Sequence, residues 1–180
     1  MEILDIVDEN GIPTGETADR AVIHREGLLH HTSHVWLLRR REGRTQVLLQ
    51  RRSENKDSFP GCYDISSAGH IPAGCGYTES ALRELEEELG VRMDAEDLHS
   101  LGLIRKSDHA VFHGIPYHDE QISMVFYAVC DMEEKEFQLQ EEEVTEVWWM
   151  DLQECREAVR LNSMRHCIYR DEIAMLPELD

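Results

Sequence analysis

The chain has 180 residues, enough to enclose one sizeable hydrophobic core, and we expect a single domain over residues 1–180. Its formal charge of −19 at pH 7 opposes binding to a phosphate backbone, so a long nucleic acid is excluded as the expected partner. No apolar stretch approaches the roughly 18 residues that span a bilayer, which argues against a membrane partner. The acidic N-terminus lacks the basic and apolar segments of a secretory signal, and this predicts a cytoplasmic location.

The cysteines are odd in number, widely spaced and free of any CxxC pair. They are Cys62, Cys75, Cys130, Cys155 and Cys167. Neither a disulfide framework nor a thiolate zinc site is indicated, and free thiols are predicted.

Runs of β-forming residues between Gly, Pro and Asn turns predict mainly strands in the first half of the chain. The predicted extended segments are Leu4–Val7, His34–Leu38, Thr45–Gln50 and Tyr63–Ile71. The second and third are expected to pair antiparallel through the charged connection Arg39–Arg44. A loop is expected over Ser53–Cys62.

The clearest helix covers Ser80–Leu89; Thr78 or Glu79 opens it and Gly90 ends it, because glycine favours the left-handed conformation that follows a helix. The later elements are predicted as strands Leu101–Arg105, Gln121–Val129 and Val144–Met150, a loop over Lys106–His118, and helices near Leu152–Leu161 and Ser163–Met175. Strands around one central helix, followed by further helices, predict an α/β (α+β) sandwich with a mixed sheet.

The central helix carries a cluster of carboxylates on one face. At about 100° per residue, Glu84, Glu87 and Glu88 fall within one arc of the helix surface. The opposite side carries Leu82, Leu85 and Leu89. Like charges at these spacings repel, so a bound cation would stabilise them, and Mg²⁺ prefers such oxygen ligands. A solvated acidic face is the structural alternative.

The helix belongs to a motif over residues 69–91 that contains Gly69, Arg83, Glu84, Leu85, Glu87, Glu88, Gly90 and Val91. This motif resembles the signature of the Nudix hydrolase family. One defined position differs, because Cys75 stands where the family has a Glu that often pairs with the signature Arg. The resemblance implies a Nudix-type α/β/α sandwich with a mixed β-sheet.

The same resemblance implies a cofactor and a reaction. Glu84, Glu87, Glu88 and the Gly69 carbonyl would hold Mg²⁺, with Mn²⁺ as an alternative. The three glutamates would then take part in hydrolysis of a diphosphate bond in a nucleoside diphosphate derivative or similar small phosphate compound.

Several further residues are candidates for substrate binding or proton transfer. Many family members use a carboxylate from a remote loop, and Asp119 or Glu120 is the candidate here, with Glu120 taken as catalytic and Glu142 and Glu143 as rivals. Arg51 and Arg52 end a predicted strand and suit phosphate binding. Three aromatic residues are candidates for stacking on a ring, although a core position is the commoner role: Trp36, Phe59 and Tyr63.

Two alternatives to a hydrolase stay open. The chain is distantly similar to the type I isopentenyl diphosphate isomerases, whose metal site would correspond to His24, His30, His70, Asp119 and Gln121. In those enzymes a Cys stands at the position of Ala68 and an acid at that of Gln121, so the proton donor and acceptor are missing here. The second alternative is a nucleotide-binding module without turnover, which Cys75 favours. Homodimerisation is left open by the sequence.

Overall fold

The computed structural model describes residues 1–180 and shows a seven-stranded mixed sheet with helices on both faces. The strands are β1 Ile3–Val7, β2 Pro13–Asp19, β3 His30–Arg41, β4 Arg44–Arg52, β5 Tyr63–Asp64, β6 Ser67–His70, β7 His99–Phe112, β8 Ile115–Val129 and β9 Val144–Asp151. The helices are α1 Arg20–Glu26, α2 Tyr77–Leu89, α3 Leu152–Leu161 and α4 Arg170–Ile173. Each of them is too short or too polar to cross a membrane.

Strand β3 organises the large sheet. It pairs antiparallel with β4 and β6 and parallel with β8. Strands β5 and β9 pair with β4, and β7 pairs with β8 at the other end. The β1–β2 hairpin forms a separate two-stranded sheet. The predicted mixed sheet and the antiparallel pairing of the second and third strand segments are therefore confirmed.

Alternation along β3 divides the core between two faces of the sheet. Val35 packs in one cluster with Leu85 of α2, whereas Trp36 packs in a second cluster with Leu152 of α3. Helix α2 therefore covers one face and α3 the other, which confirms the predicted sandwich.

Helix α2 ends where the sequence predicts but begins earlier. Gly90 follows its last residue with φ 67°, and Leu85 and Leu89 are fully buried. The N-cap is Gly76, which offers no side-chain hydrogen bond. The helix begins at Tyr77, so Thr78 and Glu79, the predicted opening residues, lie inside its first turn.

The prediction of a loop over Lys106–His118 is wrong. Strands β7 and β8 continue toward each other and meet at His113–Gly114, where both residues have positive φ, as a tight hairpin turn requires. The predicted connection Arg39–Arg44 is likewise mostly strand, with a turn at Glu42–Gly43.

The predicted helix Ser163–Met175 is also wrong over most of its length, because only Arg170–Ile173 is helical. The preceding residues run beside β5: the Tyr63 amide donates to the Arg165 carbonyl at 2.9 Å, and the Cys167 amide donates to the Tyr63 carbonyl at 3.0 Å. These bonds replace the helical ones, and they place Cys167 on the wall of the cavity described below.

Candidate active site

A polar cavity of about 250 Å³ opens at one end of the sheet. Side chains from both faces of the sheet line it, including Glu84 and Glu88 of α2, His70 of β6 and Asp119 of β8. Acidic and imidazole groups from distant parts of the chain therefore share one enclosed space.

Gly69 lies directly against the carboxylate of Glu84. A Cβ added at Gly69 would be 2.3 Å from Cδ and 2.4 Å from Cγ of Glu84, far inside van der Waals contact. Only glycine lets the β6 backbone approach the α2 carboxylate this closely. This supports the predicted pairing of the Gly69 backbone with Glu84 in one site.

Glu88 is a buried carboxylate with little compensation for its charge. Gln50 Nε2 donates to Glu88 Oε2 at 3.1 Å, and the side chain of Glu88 is almost inaccessible to solvent. Burial, followed by the charge of Glu84, raises the pKa of Glu88 to about 8. A divalent cation between Glu84 and Glu88 would offset both effects, so the donor set fits Mg²⁺.

Arg83 and Glu87 complete the acidic face. Arg83 donates to Glu84 Oε1 at 2.8 Å and to the His70 carbonyl at 3.4 Å, and its Nε lies 4.0 Å from Glu87 Oε1. Glu87 is largely exposed at the cavity mouth. With Cys75 in place of a carboxylate, Arg83 pairs with Glu84 and Glu87 on its own helix.

A second group of titratable side chains consists of three histidines and one aspartate, of which His70 and Asp119 line the cavity while His24 and His30 are buried next to them. His24 of α1, His30 of β3 and His70 of β6 each offer a ring nitrogen within 4.8 Å of the others. Asp119 Oδ1 lies 3.6 Å from His24 Nδ1 and 3.5 Å from His30 Nε2. Four of the five residues that the isomerase resemblance links are therefore brought together, whereas Gln121 and Ala68 stand where those enzymes have an acid and a Cys for proton transfer.

These groups are buried without full hydrogen bonding. Burial lowers the pKa of His24 to about 3 and that of His30 to about 4, and it lowers the pKa of His70 well below its usual value. Burial also raises the pKa of Asp119 to about 7. His24 Nδ1, His30 Nε2 and Asp119 Oδ1 have no hydrogen-bond partner. Neutral imidazoles with unpaired nitrogens are suited to bind a divalent metal.

Glu120, predicted as a catalytic residue, is held outside the cavity. Its carboxylate accepts hydrogen bonds from Ser107 Oγ and His109 Nε2, both at 2.6 Å, and Arg105 Nη2 lies 2.7 Å away. Partial burial opposes ionisation, but these hydrogen bonds lower the pKa of Glu120 to about 2. Because side chains alternate along β8, Asp119 faces the cavity instead.

The two rival acids, Glu142 and Glu143, also differ in whether they line the cavity. Glu143 lines the cavity, where it forms an ion pair with Lys56, whereas Glu142 is exposed and is not part of the wall. The charge of Glu143 is thus already compensated.

Of the two predicted phosphate-binding arginines, only Arg52 lines the cavity. Its guanidinium donates to the Ser58 carbonyl at 2.9 Å and pairs with Asp64 at 3.2 Å. Arg51 points elsewhere and donates to the Gly61 carbonyl at 3.4 Å. Neighbouring positions on a strand face opposite sides, so both could not serve the same site.

Two cations and one aromatic residue of the wall escape the sequence reasoning. Arg20 and Lys56 line the cavity. Tyr117 stacks on His24 with 4.4 Å between ring centroids, and its hydroxyl lies 3.3 Å from His24 Nε2. None belongs to a motif, although a strand recognised at 115–119 would have placed Tyr117 on the same face as Asp119.

The predicted stacking residues separate into one wall residue and two packing residues. Phe59 lines the cavity with φ 46° and packs against Phe112 at 4.8 Å. Trp36 is fully buried in the core, and Tyr63 packs against Trp148.

Comparison with known proteins places the chain in a family. The NUDIX domain model matches residues 29–170. Nudix hydrolase 3 of Arabidopsis thaliana is 36% identical over 158 residues, covering 86% of this chain and 20% of that protein. An uncharacterized Nudix hydrolase of Clostridium acetobutylicum is 38% identical over 108 residues, covering 60% of this chain and 52% of the relative. The chain thus spans only part of these relatives.

Solved structures share the fold. A Deinococcus radiodurans protein, DR0079, superposes with a TM-score of 0.74 at 18% identity and covers 96% of this chain and 98% of its own. The NUDIX domain of Shewanella oneidensis NrtR, solved with ADP ribose, gives a TM-score of 0.54 at 18% identity and covers 81% and 82%. With the family model matching most of the chain and the signature helix facing a polar cavity, the chain belongs to the Nudix hydrolase family.

Proposed function

We propose that this chain hydrolyses the diphosphate bond of a small compound, either a nucleoside diphosphate linked to another group or a similar small phosphate compound. The observation that carries the proposal is the contact of Gly69 with Glu84 beside the buried Glu88. Glu84 pairs only with Arg83 and Glu88 has no ion-pair partner, so two carboxyl groups share one cation next to a backbone position that admits only glycine.

The chain's own groups would divide the work of the reaction. Glu84, Glu87, Glu88 and the Gly69 carbonyl would hold Mg²⁺, or Mn²⁺ in its place. The bound ion supplies charge neutralisation and a more acidic water. Asp119, whose burial raises its pKa to about 7, is suited to accept a proton near neutral pH and replaces Glu120 in that role.

Substrate phosphates would meet the cationic side of the cavity. Arg52 offers a rigid guanidinium there, and Lys56 and Arg20 lie on the same wall. Each is near a carboxylate, so an incoming phosphate would compete with these acids for the cations. The ADP ribose bound by the NrtR domain supports a nucleotide derivative as substrate. We further propose a cytoplasmic location, and the proposed function is compatible with a homodimer.

The histidine group favours a second candidate function. His24, His30 and His70 with Asp119 supply four of the five ligand positions of the isomerase metal site that the resemblance implies, and the unpaired nitrogens of His24 and His30 fit a divalent ion. Isomerisation would still lack the groups that Ala68 and Gln121 replace. A nucleotide-binding module without turnover is the third reading.

The test is a panel of nucleoside diphosphate derivatives and isoprenoid diphosphates, incubated with Mg²⁺, Mn²⁺ or EDTA. Phosphate and pyrophosphate release would be followed together with double-bond migration. Metal-dependent release on a nucleotide compound is expected. Migration without release would favour the isomerase, and tight ligand binding without either reaction would favour the binding module.

A further inference from the structure

We propose that His34, held in place by Glu172, donates a hydrogen bond from Nε2 to a phosphate oxygen of the substrate. His34 would then be a substrate-contacting residue and Glu172 a positioning residue. The assignment rests on the proposed function, because it takes a diphosphate as the ligand. Neither residue belongs to the signature helix or to the group of His24, His30 and His70.

The two side chains form a buried pair on the cavity wall. His34 Nδ1 lies 2.9 Å from Glu172 Oε1, and Trp36 Nε1 donates to the same oxygen at 3.0 Å. His34 is 7% exposed and Glu172 is fully buried, yet both line the cavity. The carboxylate therefore fixes the imidazole ring and keeps the proton on Nδ1.

This pair is poorly explained by stability alone. A buried ion pair commonly contributes little net stability, because desolvation offsets the attraction. Glu172 Oε2 is moreover buried without any hydrogen-bond partner. A glutamine could accept from Trp36 equally well without burying a charge. A polarised imidazole on the wall of a ligand cavity is instead a common feature of functional sites.

The outer nitrogen of His34 is the part left free for a ligand. Its nearest partner is Thr32 Oγ1 at 3.4 Å, and that hydroxyl is already engaged with Ser123 Oγ at 2.6 Å. Nδ1 is occupied by Glu172, so a phosphate that enters the cavity meets Nε2. A protonated imidazole forms a stronger hydrogen bond with phosphate than a neutral donor does.

The electrostatic surroundings support a cationic His34. Burial opposes the charged form, but the neighbouring Glu172, with smaller contributions from Asp64 and Asp119, raises the pKa of His34 above its usual value. By contrast, burial lowers the pKa of His24 and His30. His34 is thus set apart from these neutral histidines as a donor to anions.

The test combines ligand titration and kinetics on the full chain. Inorganic pyrophosphate with Mg²⁺ is the probe, and the ¹⁵N and ¹H resonances of the imidazoles are followed in wild type and in Glu172→Gln. We expect the His34 Nε2 signal to shift on saturation in wild type and to shift less in Glu172→Gln, which keeps the volume of the side chain.

On the diphosphate substrate identified by the panel, His34→Gln should raise KM about tenfold to a hundredfold, the effect of losing one charge-assisted hydrogen bond. Glu172→Gln should give a smaller rise in KM, and the exposed control His99→Gln should leave KM unchanged. A merely structural pair would lower thermal stability without raising KM in the folded fraction.

The outcomes separate this proposal from the hydrolase itself. Turnover in wild type with an unchanged KM in His34→Gln and an unmoved Nε2 signal would overturn the role of His34 and leave the hydrolase intact. A shifted Nε2 signal without turnover on any diphosphate would uphold the phosphate contact while the hydrolase proposal fails. If His34→Gln does not fold, the wild-type and Glu172→Gln titrations still decide the matter.

Discussion

Replacing Gly69 with alanine should disrupt the carboxylate site with a change of one methyl group. The added Cβ would be 2.3 Å from Glu84 Cδ and 2.5 Å from Oε1, whereas carbon atoms in contact are about 3.5–4.0 Å apart. Either the β6 backbone or the Glu84 side chain must move. Overpacking of this kind typically reduces the free energy of unfolding by about 1–3 kcal/mol.

The same substitution should also weaken metal binding. If Glu84 swings away from Gly69, one carboxylate ligand is lost, and we expect Mg²⁺ affinity to fall at least about tenfold, with a parallel loss of kcat. Urea unfolding would measure the first effect and calorimetric titration with Mg²⁺ the second.

Two further variants make the interpretation specific. A Cβ at Gly76 would meet no atom within 4 Å, so Gly76→Ala should keep metal affinity and reduce stability by less than about 1 kcal/mol, as for an altered helix cap. The double variant Gly69→Ala with Glu84→Ala removes the clash and should recover stability but not metal binding. A Gly69→Ala protein with wild-type stability and Mg²⁺ affinity would refute this reasoning.

Other predictions concern the acids, the histidines and the arginines. Asp119→Asn should lower kcat at least about a hundredfold, as expected for loss of a general base, whereas Glu120→Gln should keep kcat within about threefold in the phosphate-release assay. Because burial lowers the pKa of His30 from 6.5 to about 4, protonation of the unfolded chain removes stability as the pH falls below 6.5. The free energy of unfolding of wild type minus that of His30→Gln should therefore decrease by about 2 kcal/mol between pH 7.5 and pH 5, as measured by urea unfolding in EDTA. An unchanged difference would contradict the buried neutral imidazole. Arg52→Gln leaves Asp64 without its ion-pair partner, so it should reduce the free energy of unfolding by about 1–3 kcal/mol and raise KM. Arg51→Gln should change the free energy of unfolding by less than about 0.5 kcal/mol and leave KM unchanged. Equal effects of the two substitutions on KM and on unfolding would argue against the placement of Arg52.

The parts of the fold that the sequence predicts well are those with local signals. The end of α2 follows from helical periodicity and from Gly90, and the predicted bounds Leu152–Leu161 of α3 are confirmed. The segment Ser163–Tyr169 was missed because its hydrogen bonds run to Tyr63, a residue about a hundred positions away. Tertiary pairing of this kind leaves no local pattern.

The candidate site shows the same division. The shared face of Glu84, Glu87 and Glu88 follows from spacing, but the burial of Glu88 depends on β4 and β6 packing over it. The choice between Asp119 and Glu120 needed the start of β8, since alternation then decides which side chain faces the cavity. His34 and Glu172 meet only in the folded chain, so no motif links them.

The most direct test of a carboxylate-bound metal compares two glutamates on one helix. Glu88 is buried in the cavity wall, whereas Glu86 is exposed and pairs with Arg92. Mg²⁺-dependent phosphate release should fall at least about a hundredfold in Glu88→Gln, by analogy with other losses of positioned charge, and should stay near the wild-type rate in Glu86→Gln. Equal rates in the two variants, or release that persists in EDTA, would contradict the proposed site.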